Sequence, residues 1–144
     1  MAAVDDVDEL IERYQLALDE FLKGNPEPGK LLWSHVEDVS LANPYGPPVR
    51  GWEQVAKTME HAASLRSGGE FLGSEVVAKW VTPELAYVVQ IEHLESKVGG
   101  RDEITPYSLR STMIFGPEDG EWKVVHRHAD PITTPQPAES VIRE

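Results

Sequence analysis

Four long β-type stretches run one after another through the second half of this 144-residue chain, over roughly 71–82, 85–97, 105–115 and 121–130. Each alternates or mixes β-branched, aromatic and polar residues between turn-forming clusters, as strands do. Pro83-Glu84, Gly99-Gly100-Arg101-Asp102 and Gly116-Pro117-Glu118-Asp119-Gly120 separate them. The first half reads differently. Val7, Leu10, Ile11, Tyr14, Leu18, Phe21 and Leu22 recur at three- and four-residue spacing, which predicts an amphipathic helix closed by Gly24-Asn25-Pro26. A shorter helix is expected over Pro28–Ser34, carrying Leu31, Leu32 and Trp33. A third follows Gly51, with Trp52, Val55, Ala56, Met59 and Ala63 on its apolar stripe and Ser67-Gly68-Gly69 at its end. Val39–Ala42 reads as a short strand before Pro44-Tyr45-Gly46-Pro47-Pro48. Helices first and strands afterwards argue an α+β fold, with helices packed on one face of an antiparallel sheet.

The second and third long strands are apolar on both faces. Tyr87, Val89 and Ile91 alternate with Ala86, Val88 and Leu94, while Leu109, Met113 and Phe115 flank Ile114. A sheet with one solvated face shows a cleaner alternation. One face therefore meets the helices and the other is expected to meet a second copy, which predicts a homodimer through the sheet.

The last strand carries most of the candidate chemistry. Unbroken period-2 geometry over Glu121–Asp130 puts Trp122, Val124, His126, His128 and Asp130 on one face, and Lys123, Val125, Arg127 and Ala129 on the other. A histidine facing an apolar cavity can titrate near neutrality, and Asp130 or Glu92 can fix its tautomer, so His126, His128 and His93 are candidate acid–base residues. His126 and His128 also have metal-ligand spacing, but no clear third and fourth ligands accompany them; no metal and no cofactor are expected. The competing reading is that these histidines only hydrogen-bond their neighbours.

Composition narrows the classes. One domain is expected, residues 1–131, with 132–144 as an extended or disordered tail containing Pro135 and Pro137. The chain has no cysteine, which excludes disulfide and thiolate chemistry. A net charge of −12 with scattered basic residues argues against nucleic-acid and membrane-surface partners. No apolar run is long enough to span a bilayer and the N-terminus lacks signal-peptide character, so a cytoplasmic protein is expected.

The order of elements and several local motifs resemble the SnoaL-like, ketosteroid isomerase-like branch of the NTF2-like superfamily. The matching pieces are Glu12–Leu18 in the first helix, Leu41–Gly46, Arg50-Gly51-Trp52, and the closing Gly120–Pro131 segment. The resemblance implies a cone: three N-terminal helices against a strongly curved, mainly antiparallel sheet, enclosing a pocket for a small, largely apolar molecule. It implies the isomerase's tyrosine at Tyr14. It also implies an aspartate base where this chain has Asn43, and a second aspartate near Ser111, where no carboxylate stands. An amide cannot abstract a proton near neutral pH. Two readings follow. In one, a histidine replaces the missing base in isomerase-, dehydratase- or cyclase-type chemistry, with Tyr14 as partner. In the other, the protein is a non-catalytic ligand-binding or dimeric assembly module. Asn43, Trp33, Trp52, Tyr87, Ser111 and Asp130 are the candidate ligand contacts. An epoxide hydrolase-like Asp-Arg-Asp set cannot be assembled.

Overall fold

A computed structural model describes residues 4–143, and the surroundings of side chains from residue 6 onwards. Three helices come first: α1 (Val4–Phe21), α2 (Glu27–Leu32) and α3 (Trp52–Ser64). Their buried residues are those the periodicity selects. Val7, Leu10, Tyr14, Ala17 and Leu18 of α1 are all less than a tenth exposed, as are Val55, Met59 and Ala63 of α3. Pro28 falls in the first turn of α2, where its missing N–H breaks no helical hydrogen bond.

Six strands form one sheet: β1 (Ser40–Ala42), β2 (Val49–Arg50), β3 (Arg66–Val81), β4 (Ala86–Val98), β5 (Thr105–Glu118) and β6 (Glu121–Asp130). Their order is β2-β1-β6-β5-β4-β3, and only the β1–β6 pairing is parallel. The sheet curves around the helices, giving the α+β architecture that the order of elements predicts and the cone that the resemblance implies. Register shifts within β3 fall at Ser67/Glu70, Phe71/Gly73 and Val76/Ala78. Extra residues on one strand bend it and increase its twist, so β3 wraps instead of running flat.

Along β4 the alternation is strict. Ala86, Val88, Gln90, Glu92, Leu94 and Ser96 are buried, and Tyr87, Val89, Ile91 and His93 are half-buried on the opposite face. The inner face packs on the helices through a core that includes Trp33, Phe115, Met113 and Val124. The outer face carries Tyr87, Val89 and Ile91 beside Trp80 of β3 and Ile114 of β5.

Two boundaries differ from the sequence reading. Strand β3 starts at Arg66, not near 71, and Gly68-Gly69 lie in its first bulge instead of closing α3. Gly69 is fixed there by space: a Cβ would stand 2.2 Å from the Glu95 carbonyl oxygen and 3.0 Å from the Leu22 Cβ. Strands β5 and β6 also run closer together than expected, leaving only Asp119 and Gly120 between them, at φ of 52° and 81°. Two central residues of positive φ make the tight turn that Asp-Gly favours, and its twist matches the flanking strands. Residues 131–143 are exposed and carry a short 3-10 turn at Ala138–Val141. Among the described residues no helix is long and apolar enough to cross a membrane.

Candidate functional site

A cavity of about 80 Å³ lies between the helices and the inner face of the sheet. Helix α1 contributes Tyr14 and Phe21, α2 leads into Trp33, α3 adds Met59, and the sheet side is closed by Leu94, Tyr107 and Leu109. A second hollow of about 320 Å³ shares Tyr45, Arg66 and Tyr107 with it. No carboxylate or imidazole lines either space among the described residues; the polar groups are tyrosines, Asn43, Thr58, Thr105 and three arginines.

Beside the cavity lies a buried ion pair. Glu92, fully buried on β4, accepts hydrogen bonds from Arg127 Nη1 at 2.8 Å and Nη2 at 2.7 Å. Ser111 Oγ and Gln90 Nε2 complete the set at 3.0 and 3.2 Å. Burial by itself would raise the Glu92 carboxyl, but the Arg127 charge and these four donors outweigh it and hold the group ionised. The Arg127 guanidinium lies 5.4 Å from the centre of the Tyr14 ring, which is 6 % exposed. Burial pushes the Tyr14 phenol up, with Arg127 partly offsetting it, so Tyr14 enters the cavity as a neutral O–H donor. The Trp33 indole N–H falls short of ordinary hydrogen-bond geometry, although it lies near enough to Tyr14 to favour the phenol's ionised form slightly.

Arg127 reaches this place because β6 is bulged. Ile114 pairs with His126 while Phe115 pairs with Val124, so Val125 is the extra residue. The parity of the strand inverts at that point. Trp122 and Val124 face inward before the bulge, and Arg127 and Ala129 face inward after it. The unbroken alternation expected from the sequence, which put His126, His128 and Asp130 on one face with Trp122 and Val124, is therefore corrected. The three titratable residues stand on the outer face.

An NTF2-like superfamily protein from Salmonella enterica superimposes with a TM-score of 0.76 at 20% identity, over 94% of each chain. A ketosteroid isomerase-like protein from Erwinia carotovora gives 0.74 at 13% identity, over 91% of this chain and 97% of that one. An NTF2-like protein of unknown function from Pseudomonas putida gives 0.70 at 18% identity, over 94% and 89%. This is the NTF2-like fold. No protein-family model matches the sequence, and no curated protein matches it either.

Within the NTF2-like cone the residues singled out from sequence fall into four groups. Tyr14, Trp33 and Asn43 line the cavity. The Asn43 side chain is already engaged, its Oδ1 accepting the Tyr45 N–H at 3.1 Å, so it shapes the turn at the cavity's edge. Ser111 is buried on the inner face but does not line the cavity, since its hydroxyl is spent on Glu92. Trp52 packs elsewhere, stacked on His35 with ring centres 3.9 Å apart.

The remaining candidates lie on the outer face of the sheet. His93 hydrogen-bonds Ser108 Oγ at 2.8 Å and Glu75 at 2.7 Å. His126 hydrogen-bonds Ser40 Oγ at 2.8 Å; burial, then the neighbouring His128, lowers its pKa. Asp130 binds Arg110 at 2.7 Å and His128 at 3.1 Å, and although burial opposes it, Arg110 holds the carboxyl below its usual range. Tyr87 is on the same face, paired across to Trp80 and Ile114. Among the described residues no group of three His, Cys, Asp or Glu side chains is placed to hold a metal ion.

Sequence reasoning passed over Arg127 and Arg66. Arg127 was hidden by the bulge, whose one local sign is the adjacent Val124-Val125 pair. Glu92 was legible as a charge within the inward set Ala86, Val88, Gln90, Leu94, and a carboxylate there demands a buried cation.

Proposed function

We propose that this protein binds a small, largely apolar ligand in the cone, and that binding, not proton abstraction, is its main role. The observation that carries this reading is the chemistry of the lining. It is an apolar enclosure with hydrogen-bond donors and no free base. Asn43 has no basicity to offer, and Glu92 is tied to Arg127 through two hydrogen bonds. His93, His126 and His128 have their contacts on the other side of the sheet. Tyr14, held neutral, suits donation to a ligand carbonyl or hydroxyl.

The test is titration with neutral bicyclic aromatics, 2-naphthol and 2-naphthamide, followed by tryptophan fluorescence and calorimetry. Saturable binding that Met59→Trp abolishes and Tyr14→Phe weakens about tenfold is expected, because Met59 and Tyr14 line the cavity. Absence of saturable binding by these probes and by the matching acid, 2-naphthoate, or equal binding by the Met59→Trp variant, overturns the reading.

A second reading, assembly as a homodimer through the outer sheet face, is favoured by what that face exposes. Trp80 is 59 % exposed and pairs with Tyr87, beside half-buried Val89, Ile91 and Ile114. An apolar centre with a polar rim of His93, Arg110, His128 and Asp130 has the anatomy of an interface. Sedimentation is the check: a dimer at micromolar concentration that Ile91→Glu dissociates is expected, and a monomeric parent protein refutes it.

A further inference from the structure

The ligand's charge can be read from the other arginine. Arg66 opens β3 and is 6 % exposed, yet among the described residues no carboxylate is within ion-pair distance of it. Its Nε donates to the Tyr107 hydroxyl at 3.1 Å, while its buried Nη1 has no hydrogen-bond partner. Three rings surround the guanidinium, those of Tyr45, Tyr107 and Phe21, at 5.1, 5.9 and 6.0 Å. Aromatic faces soften the cost of a desolvated cation but do not supply an acceptor for its N–H groups. A buried charge without a counter-ion is expensive, and such charges are normally paired.

The two arginines of the cavity therefore differ in kind. Arg127 is neutralised by Glu92, and its forked donors are occupied. Arg66 is neutralised by no carboxylate among the described residues. It lines both the inner cavity and the outer hollow, so a group bound in either can reach it. We propose that Arg66 is the anion-binding residue of the cone, and that the ligand is an amphipathic organic acid. Its carboxylate would take the free Nη1 of Arg66, and its apolar body would lie along Phe21, Met59 and Leu94. Guanidinium planes hold carboxylates through paired donors, which gives orientation as well as attraction. The proposal rests on the binding reading above and adds the charge of the occupant. With a net charge of −12 the protein surface repels anions at long range, so selection for an acid has to be local, at this one buried cation.

The experiment compares 2-naphthoate with 2-naphthamide, which share shape and apolar area and differ in charge. Calorimetry on the full chain is expected to show the acid binding at least tenfold more tightly at pH 7.5. The preference should vanish in Arg66→Gln and persist in part in Arg66→Lys. Because Arg66 is buried, circular dichroism is recorded on both variants; the wild-type comparison stands even where a variant is unfolded. If the amide binds as tightly as the acid to the wild-type protein, the anion proposal is overturned while the binding reading survives. If neither ligand binds, both fall. An acid preference that Arg66→Gln leaves intact assigns the anion to another residue and overturns the proposal as well.

Discussion

Cutting the buried ion pair should destabilise the protein by an amount that depends on pH, in a direction opposite to that of the intact chain. In Arg127→Met the Glu92 carboxylate loses two charge-assisted hydrogen bonds, at 2.8 and 2.7 Å, and its counter-ion, while remaining fully buried. Removing one partner of such a pair costs about 3–5 kcal/mol. Measured against a domain stability of about 5–15 kcal/mol, that is a large fraction. At roughly 2–4 °C per kcal/mol for a chain of this size, the melting temperature should fall by about 6–20 °C at pH 7.5.

The sign of the pH effect follows from the direction of each shift. In the intact protein the folded Glu92 pKa lies below its unfolded value. Its contribution is therefore complete above the unfolded pKa, and is lost only as pH falls through the lower folded one. Between pH 5 and 8 this group gives the wild type a flat profile. In Arg127→Met burial acts unopposed and the folded pKa rises above the unfolded one. The variant then loses stability as pH rises, so its deficit against wild type widens from pH 5 to pH 7.5. The double variant Glu92→Gln/Arg127→Met removes both charges of the pair and keeps an acceptor for Ser111. It should exceed Arg127→Met in stability at pH 7.5 and show no such widening. Urea denaturation of the two variants and wild type at both pH values is the assay. A cost below about 1 kcal/mol for Arg127→Met, or a deficit independent of pH, would refute the reasoning.

Other positions give sharper local tests. Gly69→Ala places a methyl group 2.2 Å from the Glu95 carbonyl, so a loss of about 1–3 kcal/mol is expected, read by chemical denaturation. Phe115→Ala empties the centre of the core, where the ring is 0 % exposed, and should cost about 3–5 kcal/mol in the same assay. His126 has a folded pKa below its unfolded value because of burial and His128, so the unfolded chain takes up its proton first as pH falls. Stability should decline from pH 7.5 to 5.5, and His126→Gln should shallow that slope in thermal melts; an unchanged slope removes His126 as a cause.

The element order, the inward set of β4 and the place of Tyr14 on the apolar stripe of α1 were all legible in the chain, because periods of 2 and 3.6 are local properties. Glu92 entered the sequence reading only as a carboxylate that could fix a histidine's tautomer, and its pairing with Arg127 came from the fold. The site was less legible. Parity along a strand can be counted only as far as the next bulge, and the bulge at Val125 is set by how β6 pairs with β5, between Ile114 and Phe115. That single extra residue exchanged the occupants of the two faces, carrying His126, His128 and Asp130 outward and bringing Arg127 to Glu92, 35 positions away in sequence.

The sequence by itself determined an α+β chain with helices first, an inner apolar face and a tyrosine aimed at the core. Tertiary structure alone decided which cations are neutralised. Charge pairing is a matter of distance between strands brought together by register, and burial turns that distance into free energy. Both arginines are buried, and only folding shows that Arg127 has found its carboxylate while Arg66 has none among the described residues.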